Sequence, residues 1–251
     1  MNVISIYIFL IGLCIGSFLN VCIDRIIEDK SIIVPPSHCD ICGYKLKIRD
    51  LVPVISYIFL KGKCRECKSK ISIQYPIIEL INAVLYINVY YVYGLSFYLI
   101  KYCILISLLL VIAAIDIKTK NIYTKVSGFG IVSAIILDIY EYIFLNENIL
   151  TYMCGALLSF IIFYSIVKIT GAMGQGDIDV AVICGLFLGV RYTLLAILLS
   201  FILGGIIGGL LVVFKRKRKN EEIAFIPYLA LGSYITIFIG DIFINWYLKC
   251  Y

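Results

Sequence analysis

Charged residues are scarce in this sequence. Of its 251 residues only 15% are Asp, Glu, Lys or Arg, whereas 62% are hydrophobic. A water-soluble domain of this size carries more charge on its surface and fewer apolar side chains overall. The composition therefore excludes a soluble globular protein and indicates a chain that dissolves in lipid.

Three familiar sequence features are also missing. The first apolar segment lacks a basic region before it and is interrupted by Gly12, Gly16 and Asn20, which favours a mature first span over a signal peptide. No internal repeat is visible, which counts against the transporters that are built from two related halves. No glycine-rich dinucleotide fingerprint is present either, so the sequence offers no independent signal for a cofactor site.

Long apolar runs dominate what is present. A membrane-spanning helix needs about 20 mostly apolar residues. The runs predict eight spans, of which the sixth is short, at residues 2–24, 76–93, 98–116, 125–145, 149–169, 178–190, 192–214 and 223–248. The sequence therefore predicts an all-α polytopic membrane protein embedded in a lipid bilayer.

The basic residues predict the orientation of the chain. With the amino terminus outside, the inner loops hold all of the 22 lysines and arginines except Lys101, Arg191 and Lys249. Because cytoplasmic loops carry the excess of basic residues, both termini are predicted to lie outside.

The basic run at residues 215–219 is, read alone, also typical of a nucleic-acid patch. It directly follows an apolar span, so we interpret it as an anchor to anionic lipid and expect no nucleic-acid partner.

One soluble insert interrupts the spans. Residues 25–75 hold ten lysines and arginines against five aspartates and glutamates, and the predicted orientation places them in the cytoplasm. We therefore divide the chain into a first span at residues 1–24, the insert at 25–75, and the remaining spans at 76–251. All other connections are short, so any chemistry must lie in the insert, in the short inner loops or at the ends of the spans.

Two C-x-x-C pairs lie in the insert, Cys39 with Cys42 and Cys64 with Cys67, separated by 21 residues. Four thiolates at this spacing can surround zinc tetrahedrally, and a small insert with few large apolar groups needs such a staple to fold. The alternative is a pair of disulfides or free thiols, and the reducing cytoplasm disfavours the disulfides. The single histidine, His38, could replace a ligand, but four cysteines already complete the shell. We predict a structural zinc site.

Two aspartates are predicted to meet at the cytoplasmic membrane face. Asp116 ends the third span and Asp177 begins the sixth, which places both at the same depth. Two facing carboxyl groups at the edge of a low-dielectric medium cannot both ionise cheaply, so they are expected to share a proton, as in aspartic proteases. The ionised member would take a proton from water and the protonated member would donate to a scissile carbonyl. Which aspartate has which role stays open. Gly174 and Gly176 would let the backbone lie against an extended substrate strand.

Several motifs occur in the order typical of one family. The chain resembles the bacterial prepilin peptidases, the GxGD-type membrane aspartic proteases, over nearly its whole length. The matching segments are Gly16-Ser-Phe-Leu-Asn20-Val with Arg25, both cysteine pairs, Val52-Pro-Val-Ile-Ser56-Tyr, Lys61-Gly62-Lys63-Cys64-Arg65, Gln74-Tyr-Pro76-Ile-Ile-Glu79, Asp116 with Ile117-Lys118, Gly174-Gln-Gly176-Asp177 and Ile226-Pro227-Tyr-Leu-Ala-Leu-Gly232.

The resemblance implies a substrate and a second activity. Members of this family cleave the basic leader of type IV prepilins and type II secretion pseudopilins at the cytoplasmic face of the bacterial cytoplasmic membrane. Many then methylate the new amino terminus with S-adenosylmethionine, and the cysteine insert marks this bifunctional branch. By the same resemblance Gly62, Lys63 and Glu79 are candidates for supporting methylation. The two expected cofactors are therefore structural Zn²⁺ and S-adenosylmethionine.

Two other classes of protein fit the composition. A transporter or channel would use Asp116 and Asp177 to relay protons or to coordinate ions, and flux into liposomes would detect it. A scaffold would use the zinc insert to dock a cytoplasmic partner, and Asp→Asn substitutions would then change nothing. The ordered motifs favour the peptidase over both alternatives.

Overall fold

The computed structural model describes residues 2–171, 173–214 and 224–249, whose regular secondary structure consists of helices and of two isolated β-bridges in the insert. The helices in chain order are α1 (Val3–Ile27), α2 (Ile55–Phe59), α3 (Gln74–Tyr93), α4 (Phe97–Thr119), α5 (Thr124–Phe144), α6 (Ile149–Thr170), α7 (Gln175–Val213) and α8 (Ile226–Lys249). A 3₁₀ turn, Ile48–Asp50, precedes α2. The basic run at 215–219, interpreted above as a lipid anchor, lies outside the described residues.

In this described part, seven helices are long and apolar enough to cross a membrane, namely all except α2. The predicted all-α polytopic architecture is confirmed. The predicted sixth and seventh spans both fall in α7, which has 39 residues. A straight helix of that length would extend about 58 Å, roughly twice the thickness of the hydrocarbon core.

The chain folds back within α7 at Gly189, where the backbone leaves the helical region with φ 70° and ψ 170°. Adjacent residues of α8 contact both sides of this interruption. The Ser233 hydroxyl donates to the Cys184 sulfur at 3.4 Å, and a Cβ added to Gly232 would lie 2.5 Å from the Ala196 carbonyl oxygen. In a straight helix Cys184 and Ala196 would be about 18 Å apart. Element α7 is thus a hairpin of two helices, and its first half, at about 21 Å, is the short span that the sequence predicted.

The chain forms two compact units, Met1–Cys103 and Ile104–Tyr251. The first is organised by the antiparallel pair of α1 and α3. Gly12 and Gly16 lie one turn apart on α1, and a Cβ added to either would come within 2.7 Å of the Cα of Ala83 or Glu79 respectively. Small residues allow such close helix packing in membranes, where no hydrophobic effect drives helices together.

Polar side chains reinforce this pair of helices. The Asn82 side chain donates to the Gly12 carbonyl at 2.8 Å, and the Asn20 side chain donates to the Tyr75 carbonyl at 3.0 Å. The Tyr75 hydroxyl in turn donates to the Asp24 carboxylate at 2.7 Å. These bonds hold the end of α1 beside the start of α3, so both ends of the insert are fixed together.

The second unit is built around the α7 hairpin, with α6 and α8 packed on it. Gly155 of α6 and Gly185 of α7 allow a backbone contact, because a Cβ on Gly185 would lie 2.6 Å from the Ala156 Cα. Phe163, Phe201 and Phe225 form an aromatic cluster with ring centroids 5.3–5.9 Å apart. The end of α4 joins this packing through Asp116, which contacts the start of α8 at Ile226, and the loop after α4 joins it through Ile122, which contacts the start of α7 at Gly176.

Candidate active site and metal centre

Asp116 lies near the end of α4 and is 5% exposed. Its carboxylate accepts a hydrogen bond of 3.2 Å from the backbone N–H of Ile226, the first residue of α8. The next residue, Pro227, has no N–H to donate, so the donor to Asp116 is the N–H of Ile226. The amino-terminal end of a helix carries partial positive charge, which favours a carboxylate beside it.

Asp177 is the third residue of α7 and is 8% exposed. Its carboxylate accepts a hydrogen bond of 3.0 Å from the Gly174 N–H, while its own N–H donates to the Gly174 carbonyl at 3.2 Å. A side chain in the first turn that reaches back to the preceding backbone N–H is the capping arrangement of helix starts. The local sequence therefore fixes the direction of the Asp177 carboxyl group.

The elements that carry the two aspartates meet, because Gly176, beside Asp177, packs against Ile122 in the loop that follows Asp116. The two aspartates are 61 positions apart in the sequence, yet the charge of Asp116 acts electrostatically on Asp177. Each carboxylate is buried and accepts one hydrogen bond from a backbone N–H, and the positive charge of Lys120 also acts on Asp116. Two buried carboxyl groups that are close enough to repel each other can hold one shared proton at low cost.

The two glycines before Asp177 have different surroundings. A Cβ on Gly176 would lie 2.6 Å from the Ile122 side chain, so this glycine lets the loop between α4 and α5 pack against the start of α7. Gly174 is exposed, and a Cβ there would meet only the Asp177 carboxylate at 3.8 Å. Open backbone beside the carboxyl pair is thus provided at Gly174.

The four insert cysteines form one cluster. Their sulfur atoms all lie within 4.8 Å of one another, with Cys39 to Cys67 at 3.8 Å and Cys42 to Cys64 at 4.0 Å. Zinc–sulfur bonds of about 2.3 Å in a tetrahedron place the sulfurs about 3.8 Å apart. The donor set fits a zinc ion in both chemistry and spacing. His38 is not part of this cluster, and its Nδ1 atom lies 3.0 Å from the Pro36 carbonyl.

The two C-x-x-C segments adopt the same turn. The Cys39 N–H donates to the Tyr44 carbonyl at 2.9 Å, and the Cys64 N–H donates to the Ser69 carbonyl at 2.8 Å. Each turn passes through the left-handed region at the residue after its second cysteine, Gly43 with φ 71° and Lys68 with φ 60°. The two halves of the metal centre are thus built alike, a similarity that the sequence analysis did not detect.

The thiols are in unequal environments. Hydrogen bonds from the backbone N–H groups of Cys42 and Ile41 lower the pKa of Cys39 to about 6. The Tyr44 N–H favours the thiolate of Cys42, but burial and the sulfurs of Cys67 and Cys39 outweigh it and raise the pKa of Cys42 to about 11. Crowded thiols therefore do not all ionise by themselves. A bound divalent cation would supply the missing positive charge.

A buried ion pair connects the two halves of the metal centre. Asp50 has a side chain only 1% exposed, and Arg65, inside the second C-x-x-C pair, contacts its Oδ1 atom through two nitrogens at 2.6 and 2.7 Å. The Oδ2 atom accepts hydrogen bonds from the Tyr44 hydroxyl and the Lys47 N–H, both at 3.2 Å. Sequence reasoning missed Asp50, because nothing in its surroundings distinguishes it from a surface carboxylate.

The three methylation candidates lie in separate local environments. Gly62 has φ 65° in a turn beside the Tyr57 ring, and Lys63 forms a β-bridge with Lys70. Glu79 is 5% exposed, and its carboxylate accepts hydrogen bonds from the Val54 N–H at 2.7 Å and from the Ser17 side chain. The Glu79 carboxylate is already engaged, so these three residues do not by themselves define a site that fits S-adenosylmethionine.

Helices able to cross a bilayer, with a buried carboxylate pair at the helix ends, define a polytopic membrane protein with an acidic dyad. Two family models cover most of the chain. The one described as the bacterial peptidase A24 N-terminal domain matches residues 10–93, and the one described as the type IV leader peptidase family matches residues 103–209. The chain belongs to the type IV leader peptidase family.

Curated relatives agree with this assignment along the full length. A prepilin leader peptidase/N-methyltransferase of Bacillus subtilis (strain 168) is 32% identical over 243 residues, which cover 96% of this chain and 97% of the relative. A type 4 prepilin-like proteins leader peptide-processing enzyme of Escherichia coli O78:H11 is 30% identical over 92% of this chain and 93% of its own length. A prepilin leader peptidase/N-methyltransferase of Aeromonas salmonicida (strain A449) is 27% identical over 96% of this chain and 93% of its own. No solved structure matches the chain.

Proposed function

We propose that this protein is a membrane aspartic endopeptidase that removes the basic leader of prepilins and pseudopilins, with Asp116 and Asp177 as its catalytic pair. The observation that carries the proposal is the burial of these two carboxyl groups in electrostatic contact, each fixed by a backbone amide. Membership of the leader peptidase family supplies the substrate class.

The geometry supports a mechanism without a covalent intermediate. The ionised carboxylate of the pair accepts a proton from a bound water as the water oxygen attacks the scissile carbonyl carbon. The protonated partner gives its proton to the carbonyl oxygen, which forms a tetrahedral diol. The diol then collapses: one hydroxyl gives its proton to the ionised carboxylate, the C–N bond breaks, and the leaving amine takes the proton of the other carboxyl group, which restores the singly protonated pair. The backbone amides of Ile226 and Gly174 hold both carboxyl groups in place throughout.

Substitution of each aspartate tests this mechanism. With purified protein and a prepilin in mixed micelles, we expect Asp116→Asn and Asp177→Asn each to lower kcat by about 10²–10⁴-fold, because an amide cannot exchange the proton. Asp179→Asn is the matched control, since Asp179 is exposed two residues further along the same helix. Full cleavage by either dyad variant, or an equal loss in the control, would refute the assignment.

A second activity, methylation of the new amino terminus, is proposed on the basis of the relatives' names. S-adenosylmethionine would supply the electrophilic methyl group for the freed amine. Gly62, Lys63 and Glu79 are proposed to support methylation through the fold of the insert, since they do not by themselves define a cofactor site. Methyl transfer to a precut substrate, measured with the two Asp→Asn variants, separates this activity from cleavage, because a separate site predicts that methylation persists.

We further propose that Cys39, Cys42, Cys64 and Cys67 hold a structural zinc ion that orders the insert.

The protein would lie in the bacterial cytoplasmic membrane with both termini outside and the insert in the cytoplasm. Accessibility of single reporter sites at each terminus to a membrane-impermeant reagent in intact cells tests the orientation, and labelling of the insert instead of the termini would reverse it.

A further inference from the structure

The short helix α2 exposes an unusual amount of apolar surface for part of a soluble insert. Ile55, Ile58 and Phe59 share one side of the helix and are 51%, 66% and 83% exposed. Leu51 and Val52, just before the helix, are exposed as well. We call these five residues the α2 face. Several exposed apolar side chains within nine residues indicate a contact with a lipid or a partner.

The depth of α2 along the first unit identifies what lies against this face. The Val54 N–H, one residue before α2, donates to the Glu79 carboxylate at 2.7 Å. Glu79 lies five residues into α3, about 7.5 Å from the start of that helix. Helix α3 has 20 residues, about 30 Å, so it needs its full length to cross the hydrocarbon core. Because helical side chains lean toward the amino terminus, this bond places the start of α2 beside the first turns of α3, at the level of the membrane interface.

The same carboxylate indicates depth from the side of α1. The Ser17 side chain also bonds to Glu79, and Ser17 lies ten residues, about 15 Å, before the end of α1 at Ile27. The chain between the two spans thus descends again after leaving α1. The hydrogen bond from Val54 to Glu79 fixes the start of α2 at this level.

The irregular turn before α2 has its backbone N–H groups satisfied by protein atoms, as is required of backbone in a membrane. The Ile55 N–H bonds to the Pro53 carbonyl at 2.5 Å across Val54, which adopts φ 60° and ψ −48°. Irregular backbone is tolerated in the membrane only where protein groups satisfy its polar atoms. The buried Glu79 carboxylate does this for the Val54 N–H, which water would have solvated at an aqueous surface.

The opposite side of α2 faces the insert. The Tyr57 hydroxyl donates to the Ile71 carbonyl at 3.5 Å, and the Tyr57 ring lies beside Gly62. Two exposed lysines, Lys61 and Lys63, follow directly after the helix. Apolar side chains on one side and lysines at the end are the pattern of a helix that lies in the membrane interface.

We propose that α2 is an interfacial helix, with the α2 face in contact with lipid acyl chains and Lys61 and Lys63 at the level of the lipid phosphates. The bilayer is favoured over an apolar peptide as the occupant, because the face lies beside the first turns of the membrane-spanning helix α3, at the level of the membrane interface. Anionic lipid strengthens the contact through the two lysines. The insert is thereby seated on the membrane, independently of the reaction that the protein catalyses.

Tryptophan fluorescence in the full chain tests this assignment. Trp246, the single tryptophan, is replaced by phenylalanine, and Phe59→Trp is introduced. The protein is reconstituted in vesicles of phosphatidylcholine and phosphatidylglycerol that carry bromine at shallow or deep acyl positions. Glu66→Trp is the matched control, since Glu66 is an exposed carboxylate between the third and fourth cysteines. Retention of zinc by both variants checks that the insert is folded.

We expect the residue-59 tryptophan to be quenched by shallow bromines and to be protected at least several-fold from aqueous acrylamide relative to the residue-66 tryptophan. Ile58→Trp, on the same face, should behave as Phe59→Trp does and replaces it if that variant fails to bind zinc. Equal acrylamide quenching at positions 59 and 66, without bromine quenching, overturns the proposal. Protection that appears only when a prepilin is added would assign the face to the substrate and would equally overturn it.

Discussion

Lys68 has a left-handed backbone conformation, and the equivalent position in the first C-x-x-C turn is occupied by Gly43. A side chain in the left-handed region costs about 1–2 kcal/mol, partly offset by the greater flexibility of glycine in the unfolded chain. We expect Lys68→Gly to raise the stability of the insert by up to about 1 kcal/mol. The converse Gly43→Lys should lower it. Thermal unfolding of the zinc-loaded protein checks the order of the three proteins, and a stabilised Gly43→Lys would contradict it.

Asp50 makes the stability of the insert depend on acid. Burial alone would raise the pKa of Asp50, but the hydrogen bonds from Arg65 and the Lys47 N–H and the charge of Arg65 outweigh burial and lower it. A carboxyl group whose pKa is lower in the folded state stabilises the fold above its unfolded pKa of about 3.9, and this contribution disappears as the pH falls through the folded value.

Asp50→Asn should therefore destabilise the insert by about 1–3 kcal/mol at neutral pH, because Arg65 loses its charged partner. The difference between wild type and variant should stay constant above about pH 5 and shrink below about pH 4. Since acid also protonates the cysteines in both proteins, only the difference is informative. Denaturant titrations at several pH values measure it. If the stability difference between wild type and Asp50→Asn instead grew as the pH fell, the pKa of Asp50 would not be lowered in the folded state.

At the scale of elements, two glycines set the distance between α1 and α3. Gly12→Ala and Gly16→Ala would each place a Cβ 2.7 Å from backbone of α3, so we expect a loss of about 1–3 kcal/mol from the resulting strain. Gly128→Ala is the control, because a Cβ at Gly128 in α5 meets no atom within 4 Å. It should be neutral or slightly stabilising. Thermal unfolding in detergent compares the three variants, and equal effects would exclude a role for close packing.

The hairpin of α7 depends on Gly189. Its φ and ψ lie in a region that side chains essentially do not adopt, and a Cβ there would also lie 3.2 Å from Thr151. We expect Gly189→Ala to cost about 1–3 kcal/mol and to lower leader cleavage, because the first half of α7 carries Asp177. Gly205→Ala, in the second half with open space around it, is the matched control. Full activity of Gly189→Ala would show that the reversal does not depend on glycine.

The sequence predicted elements better than contacts between them. Long apolar runs determine where helices form in lipid, so the spans and the short first half of α7 were predictable. The sequence does not mark contacts made by backbone atoms. The N–H of Ile226 carries no signature of its partner Asp116, and the hydrogen bond from Val54 to Glu79 joins residues whose types would suit many positions. The two aspartates were found because carboxylates are rare in spans and the topology placed both at one depth.

At the scale of the whole molecule, the cysteine cluster and the carboxyl pair belong to different compact units. Removal of the metal should therefore unfold the insert and leave the pair in place. We expect a strong chelator to abolish methyl transfer while leader cleavage of a detergent-solubilised substrate falls by less than about tenfold. Zinc release, cleavage and methylation are measured on the same sample. Loss of cleavage in parallel with zinc release would show that the metal also supports the peptidase.

The hydrogen bond from Asn20 to the Tyr75 carbonyl places the two ends of the insert next to each other. A segment whose ends already meet adds little closure entropy to the protein that carries it. If a tight connection replaced the residues between them, α1 and α3 would stay paired through Gly12 and Gly16, and Glu79 would lose the hydrogen bond from Val54. A single deletion or insertion in evolution could therefore remove or add the insert while the pairing of α1 and α3 is kept.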